Sequence, residues 1–131
     1  MTTIPADDGS GQLGPRVWPA AELAVDGTGM RSRWIIAPTA DGWADMVLSE
    51  WELQRSGWTD QHPHDETNFV IAGELHIECD GHEVVLGPGD CARVPAGSVG
   101  RYWAPDFARM LAVYGPNPTG IATEYGETFD L

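Results

Sequence analysis

Glycine and proline cut this chain into short alternating segments, and that spacing constrains the fold more than any other feature. Strand-like runs cover residues 30–36, 46–53, 67–71, 75–79, 83–86, 91–94, 99–103 and 107–114. Between them stand Asp41-Gly42, Gly73, Asp80-Gly81, Gly87-Pro88-Gly89-Asp90 and Pro95-Ala96-Gly97. These residues supply the backbone angles that tight turns need, and proline also ends a ladder. Within the runs the side chains alternate. Val47, Ser49, Trp51 and Leu53 point one way, Leu48, Glu50, Glu52 and Gln54 the other. Leu75, Ile77 and Cys79 likewise oppose Glu74, His76 and Glu78. A period of two is that of a half-buried strand. About eight short strands with no long helical pattern predict an all-β antiparallel sandwich or barrel of jelly-roll type. The one helical expectation is a single turn at Pro19-Ala20-Ala21-Glu22-Leu23.

The chain has 131 residues, enough for one domain with a sizeable core. We read residues 1–15 as a flexible arm rich in Gly, Pro and Asp, 16–115 as the barrel, and 116–131 as a turn-rich tail. A formal net charge of −13 argues against nucleic acid or an anionic membrane surface as partner. The start has neither a basic segment nor an apolar one, and no run approaches the ~18 apolar residues of a membrane span. Cys79 and Cys91 are therefore expected as reduced thiols in a cytoplasmic protein.

Chemistry concentrates between Asp60 and Gly73. Two of the four histidines, His62 and His64, fall within three residues, among Asp60, Asp65 and Glu66. Alternation puts Asp60, His62, His64 and Glu66 on one side of an extended chain. A straight strand would separate Asp60 from Glu66 by roughly 20 Å. Pro63 lacks an N–H and resists ladder pairing, so a bend there would let His62 and Glu66 converge.

These spacings resemble a single-domain small cupin. The family's first motif reads G-x5-H-x-H-x3-E-x6-G. Counting back from Gly73, Glu66 takes the acidic position, His62 the second histidine and Asp60 the first, with the leading glycine displaced to Gly57. The second motif reads G-x5-P-x-G-x2-H-x3-N. Gly89, Pro95 and Gly97 match it, while Gly100 holds the histidine position and Ala104 the asparagine position. The resemblance spans about residues 44–114 and implies the antiparallel jelly-roll barrel of cupins. In a second register His62 and His64 form the H-x-H pair, but the acid position then falls on Asn68 or Phe69.

The resemblance implies a site at Asp60, His62 and Glu66, with His64 as a further ligand. A divalent transition metal (Fe, Mn, Ni or Zn) would find one imidazole and two carboxylates there, leaving positions open for substrate. The alternative is a metal-free pocket in which His62 and Glu66 act as an acid/base pair. No organic cofactor is expected. Glu66, Asn68, Val70, Trp51, Leu53, Gly100 and Tyr102 should point inward, with Trp51, Asn68, Gly100 and Tyr102 contacting a ligand. Gly100 leaves space for a ligand or a neighbouring aromatic ring. His76 and His82 fall on an outward face and a turn. By parity Arg101 points away from the pocket and is expected in a surface ion pair. Two function classes stay open: an enzyme on a small organic molecule (isomerase, lyase, cyclase or oxygenase), or a non-catalytic small-molecule binding or sensing module. Phe69 and Ile71 make the outer face of their strand apolar, so a homodimer is expected.

Overall fold

A computed structural model of the chain describes residues 14–123 and 125–131. The expected N-terminal arm falls almost wholly outside the described residues. Nine strands follow in order: β1 (Ala24–Val25), β2 (Met30–Ile36), β3 (Val47–Gln61), β4 (Glu66–Gly73), β5 (Leu75–Cys79), β6 (His82–Leu86), β7 (Cys91–Val94), β8 (Val99–Tyr114) and β9 (Tyr125–Asp130). Every pairing is antiparallel, and the described residues contain no helix.

Two long strands carry the architecture. β3 and β8 pair along their whole length and bend together where Gln54 faces Phe107 and Ser56 faces Ala104. On one side of this bend the order is β1-β2-β3-β8-β4-β7. On the other side β9 joins β3, β5 joins β8, and β6 joins β5. The same two strands thus belong to both walls of a jelly-roll barrel. Pro105 sits in the bulge, where its missing N–H costs no ladder bond. Arg55, at a φ of 45°, takes the left-handed conformation on the opposing strand.

Three sequence expectations change here. The runs at 99–103 and 107–114 are one strand bent at Pro105 rather than two. The tail supplies β9, whose Phe129 ring occupies the space beside Gly57. No helical turn forms at Pro19–Leu23. Five residues are too few to nucleate a helix, and the segment instead follows β2, where the Pro19 and Leu23 carbonyls accept bonds from Arg33 and Arg31.

Alternation was read correctly at the core. Leu53, Val70, Leu75, Tyr102 and Met110 are fully buried and form one cluster with Trp51, Ile77 and Leu86. Gly73, at a φ of 81°, makes the β4–β5 turn so tightly that a Cβ would lie 2.0 Å from the Phe107 carbonyl oxygen.

Candidate functional site

The bulge where β3 meets β8 decides which side chains of β3 reach the site. Before it, the odd-numbered Ser49, Trp51 and Leu53 are buried; after it, the even-numbered Ser56 and Asp60 are. Arg55, at positive φ and alone opposite Pro105 and Asp106 of β8, shifts the alternation of β3 and brings Trp58, Asp60 and His62 to the inner side. β3 then ends at Gln61, and the chain turns through Pro63 and His64 before β4 begins at Glu66. Backbone bonds pin this turn. Gly97 N–H donates to the His62 carbonyl (2.8 Å) and Gly115 N–H to the Asp65 carbonyl (3.1 Å), while Asp65 Oδ1 accepts from Ala96 N–H (2.9 Å).

The reversal brings the predicted residues together. His62 Nε2 stands 2.9 Å from Asp60 Oδ2 and 3.0 Å from Glu66 Oε1. Both carboxylates are buried, Asp60 at 3% and Glu66 at 2% exposure. Trp58 Nε1 donates to Asp60 Oδ2 (2.7 Å), and Asn68 Nδ2 donates to Glu66 Oε2 (2.7 Å). Trp51 Nε1 in turn donates to Asn68 Oδ1 (2.8 Å). His62 Nδ1 meets Thr123 Oγ1 at 2.7 Å. Glu66 Oε1 is buried in its ion pair with His62, and the buried Tyr102 hydroxyl has no hydrogen-bond partner among the described residues.

Burial and charge oppose each other at these groups. Burial lowers the affinity of His62 for a proton, but bonds and attraction from Asp60 and Glu66 outweigh it and raise its pKa to about 9. Burial pushes the Glu66 carboxyl up, helped by the Asp60 charge and opposed by His62 and Asn68. Burial also drives the Tyr102 and Tyr114 hydroxyls well above the usual phenol range, with the Glu66 charge adding to it. Burial and the His62 charge together hold His64 below the ordinary imidazole value, against its bond to the Asp65 carbonyl.

The triad lies on the wall of a cavity of about 150 Å³ between β2 and β3. Cavities of about this size accommodate a benzene-sized molecule. Trp34, Trp51, Trp58 and Tyr114 give it carbon surface, and Asp26, Arg33, Asp60, His62 and Glu66 give it charge. Arg33 is held by Glu50 (Nε to Oε1, 2.8 Å), which also accepts from Arg109.

The donor atoms of Asp60, His62 and Glu66 all lie within 4.8 Å of one another. Adjacent ligands of a six-coordinate ion at ~2.1 Å stand ~3.0 Å apart, close to the two separations seen here. Glu66 Oε1 is a buried oxygen whose pairing with His62 a metal cation between them would replace. Two carboxylates and one imidazole fit Fe or Mn better than Cu. These residues fit a metal ion.

Of the expected site residues, Asp60, His62 and Glu66 converge in the first register. His64 does not join their donor atoms: its ring stacks on His62 (4.7 Å between centroids, 20°) and its Nδ1 meets the Asp65 carbonyl. Trp51 lines the cavity, whereas Asn68, Gly100 and Tyr102 lie behind its wall. Asn68 holds Glu66 in place instead. Gly100 faces Asp60 across the ladder, and its empty side is filled by Tyr102, whose hydroxyl would lie 2.8 Å from an added Cβ. Arg101 stacks over Phe129 (4.8 Å) and Trp103, and among the described residues it forms no ion pair. His76 is held between Glu74 and Glu83, away from the cavity. Trp34, Trp58, Tyr114 and Arg33 were missed. Only the inward parity of β2 and of β3 beyond its bulge could have marked the two tryptophans.

Comparisons with known proteins agree with this architecture. Residues 48–114, 67 of the 131, match the cupin domain family. Over 53 residues the chain is 38% identical to acetate kinase EutQ of Clostridioides difficile (strain 630), covering 40% of this chain and 34% of that protein. The chain thus spans about a third of the length of that curated relative. Ectoine synthase from P. lautus superposes with a TM-score of 0.64 at 23% identity, over 80% of this chain and 79% of that one. KdgF from Halomonas sp. does so with a TM-score of 0.61 at 23% identity, over 73% and 88%. With the motif spacing, the barrel and the family match in agreement, the chain belongs to the cupins.

Proposed function

We propose that this cupin is an enzyme acting on a small, partly apolar organic molecule, with Glu66 and His62 performing proton transfer on it. One observation carries the reading. Glu66 Oε1 is buried on the cavity wall and ion-paired with His62 Nε2 at 3.0 Å. A carboxyl whose proton affinity is raised by burial is suited to general acid/base work near neutral pH. Asn68, itself held by Trp51, fixes Oε2 and so sets Oε1 against His62. His62 lies beside Oε1 as a cation and stabilises the carboxylate once its proton has left. Asp60, held by Trp58, keeps the imidazole oriented from the other side. Many isomerase, lyase and cyclase reactions proceed through such a transfer.

Asp60, His62 and Glu66 would also hold a divalent metal, Fe or Mn ahead of Ni or Zn by their oxygen-rich donor set. Bound there, the ion would supply Lewis acidity toward a substrate oxygen and extend the range of reactions to oxygenation. We further propose a cytoplasmic homodimer. Phe69 and Ile71, 43% and 45% exposed on the outer face of β4, leave an apolar strip that a second subunit would cover.

A second reading has its own support. Asp60 and Gly100 replace two histidines of the cupin motifs, and Tyr102 fills the gap, which suits a binding or sensing module that does no chemistry. The Glu66→Gln variant decides between them. It keeps the size of the side chain and removes its titratable group, so turnover should fall ~10²–10⁴-fold with affinity changed only a few-fold. Full activity in that variant would end the catalytic assignment. A tightly bound ligand that the wild type never turns over would establish the sensing module.

A further inference from the structure

We propose that the cavity selects a small organic cation, an ammonium centre bearing carbon substituents, held against aromatic faces with the carboxylates as counter-charge. The inference rests on the cavity being a small-molecule site and is independent of the proton transfer assigned to Glu66.

The walls provide the first argument. Three tryptophans and a tyrosine, Trp34, Trp51, Trp58 and Tyr114, line a space of about 150 Å³. The polar atoms of three of them are engaged within the wall: Trp51 Nε1 with Asn68, Trp58 Nε1 with Asp60, and the Tyr114 hydroxyl with Ser49. Ring carbon is what they have left to offer a ligand. Aromatic faces attract cations through the ring quadrupole, most strongly where the cation is poorly hydrated, as an alkylated ammonium is. A trimethylammonium head fits a benzene-sized space.

Charge provides the second. The lining carries Asp26, Asp60 and Glu66 against His62 and Arg33. Arg33 is neutralised where it stands, because Glu50 accepts from its Nε at 2.8 Å. Asp26 is bonded only to a neutral partner, the Ser32 hydroxyl at 2.9 Å, among the contacts that its side chain makes in the described residues. The balance is negative with His62 charged, and it is still negative with a divalent ion at the triad and His62 neutral. Carbon walls with negative charge disfavour an anion and leave a neutral molecule without compensation for that charge.

Choline, its uncharged carbon isostere 3,3-dimethylbutan-1-ol and the anion pivalate test this by calorimetry on the full chain at physiological salt. Choline should bind about tenfold more tightly than the alcohol, and pivalate more weakly than either. Trp34 is 52% exposed, so Trp34→Leu can be made without opening the core. It should weaken choline about tenfold and leave the alcohol unchanged, and Trp34→Phe should restore most of the loss. Equal binding of choline and the alcohol overturns the inference, as does a preference for pivalate or no binding of any probe. Unchanged choline affinity in Trp34→Leu also overturns it, since it would reflect only the overall charge of −13. Glu66→Gln separates the two proposals: unchanged turnover there sinks the acid/base role while a preference for choline stands.

Discussion

Removing the imidazole from between Asp60 and Glu66 should destabilise the fold, and the size of that effect follows from the geometry. His62 is the cation within 3.0 Å of two carboxylates that are 3% and 2% exposed. His62→Gln leaves both without it. Breaking a buried ion pair by deleting one partner typically costs ~3–5 kcal/mol. A second route gives a similar size. The pKa of His62 rises from 6.5 to about 9, which at ~1.4 kcal/mol per unit is on the order of 3 kcal/mol. For a domain of this length the loss corresponds to a fall in Tm on the order of 10–20 °C. The pH dependence has a fixed sign. A pKa raised on folding gives stability that is fully present below the unfolded value of 6.5 and lost as pH rises through about 9. Melting curves at pH 6, 8 and 10 in a chelating buffer should therefore fall for the wild type and lie flatter for His62→Gln. Adding Glu66→Gln to His62→Gln should recover part of the loss, because one of the two uncompensated carboxylates is then gone. If His62→Gln melts within 2 °C of the wild type at pH 7, the charge clamp does not exist as described (less than ~1 kcal/mol).

Other outcomes follow from the same geometry. Protein expressed in medium supplemented with iron and manganese should carry close to one equivalent by elemental analysis, and the His62→Ala, Glu66→Ala double variant none. Metal well below one equivalent in the wild type refutes the ligand assignment. Gly100→Ala should cost ~1–3 kcal/mol in denaturant melts, because its Cβ would lie 2.8 Å from the Tyr102 ring and hydroxyl. An unchanged midpoint would mean that Tyr102 does not fill that space. Light scattering at micromolar concentration should give twice the chain mass, and Phe69→Glu with Ile71→Glu should halve it; a wild-type monomer ends the dimer proposal.

The fold was legible because it rests on local rules. Asp80-Gly81 and Pro95-Ala96-Gly97 end strands by backbone geometry alone, and alternation along Leu75–Cys79 sorts core from surface without knowledge of the partner strand. The triad was legible for a related reason, since Asp60, His62 and Glu66 lie within seven residues and one proline-marked bend closes them. What the sequence left open depends on contacts between distant segments. The bulge at Arg55 turns the inward face of β3 from odd to even residues, and it exists only because β8 carries Pro105 and Asp106 opposite it. Trp58 therefore reached the cavity unannounced. The tail became β9 because β3 had an unpaired edge to offer, and Gly57 left room for Phe129. Gly100 alone cannot say what fills the space of a missing side chain; Tyr102 does so, two residues along β8, only within a packed barrel. Backbone geometry and periodicity act over a few residues, and the sequence by itself determined what they govern. The cavity's occupants and its charge balance arise where β2, β3, β4 and β8 meet, and only the tertiary structure decided those.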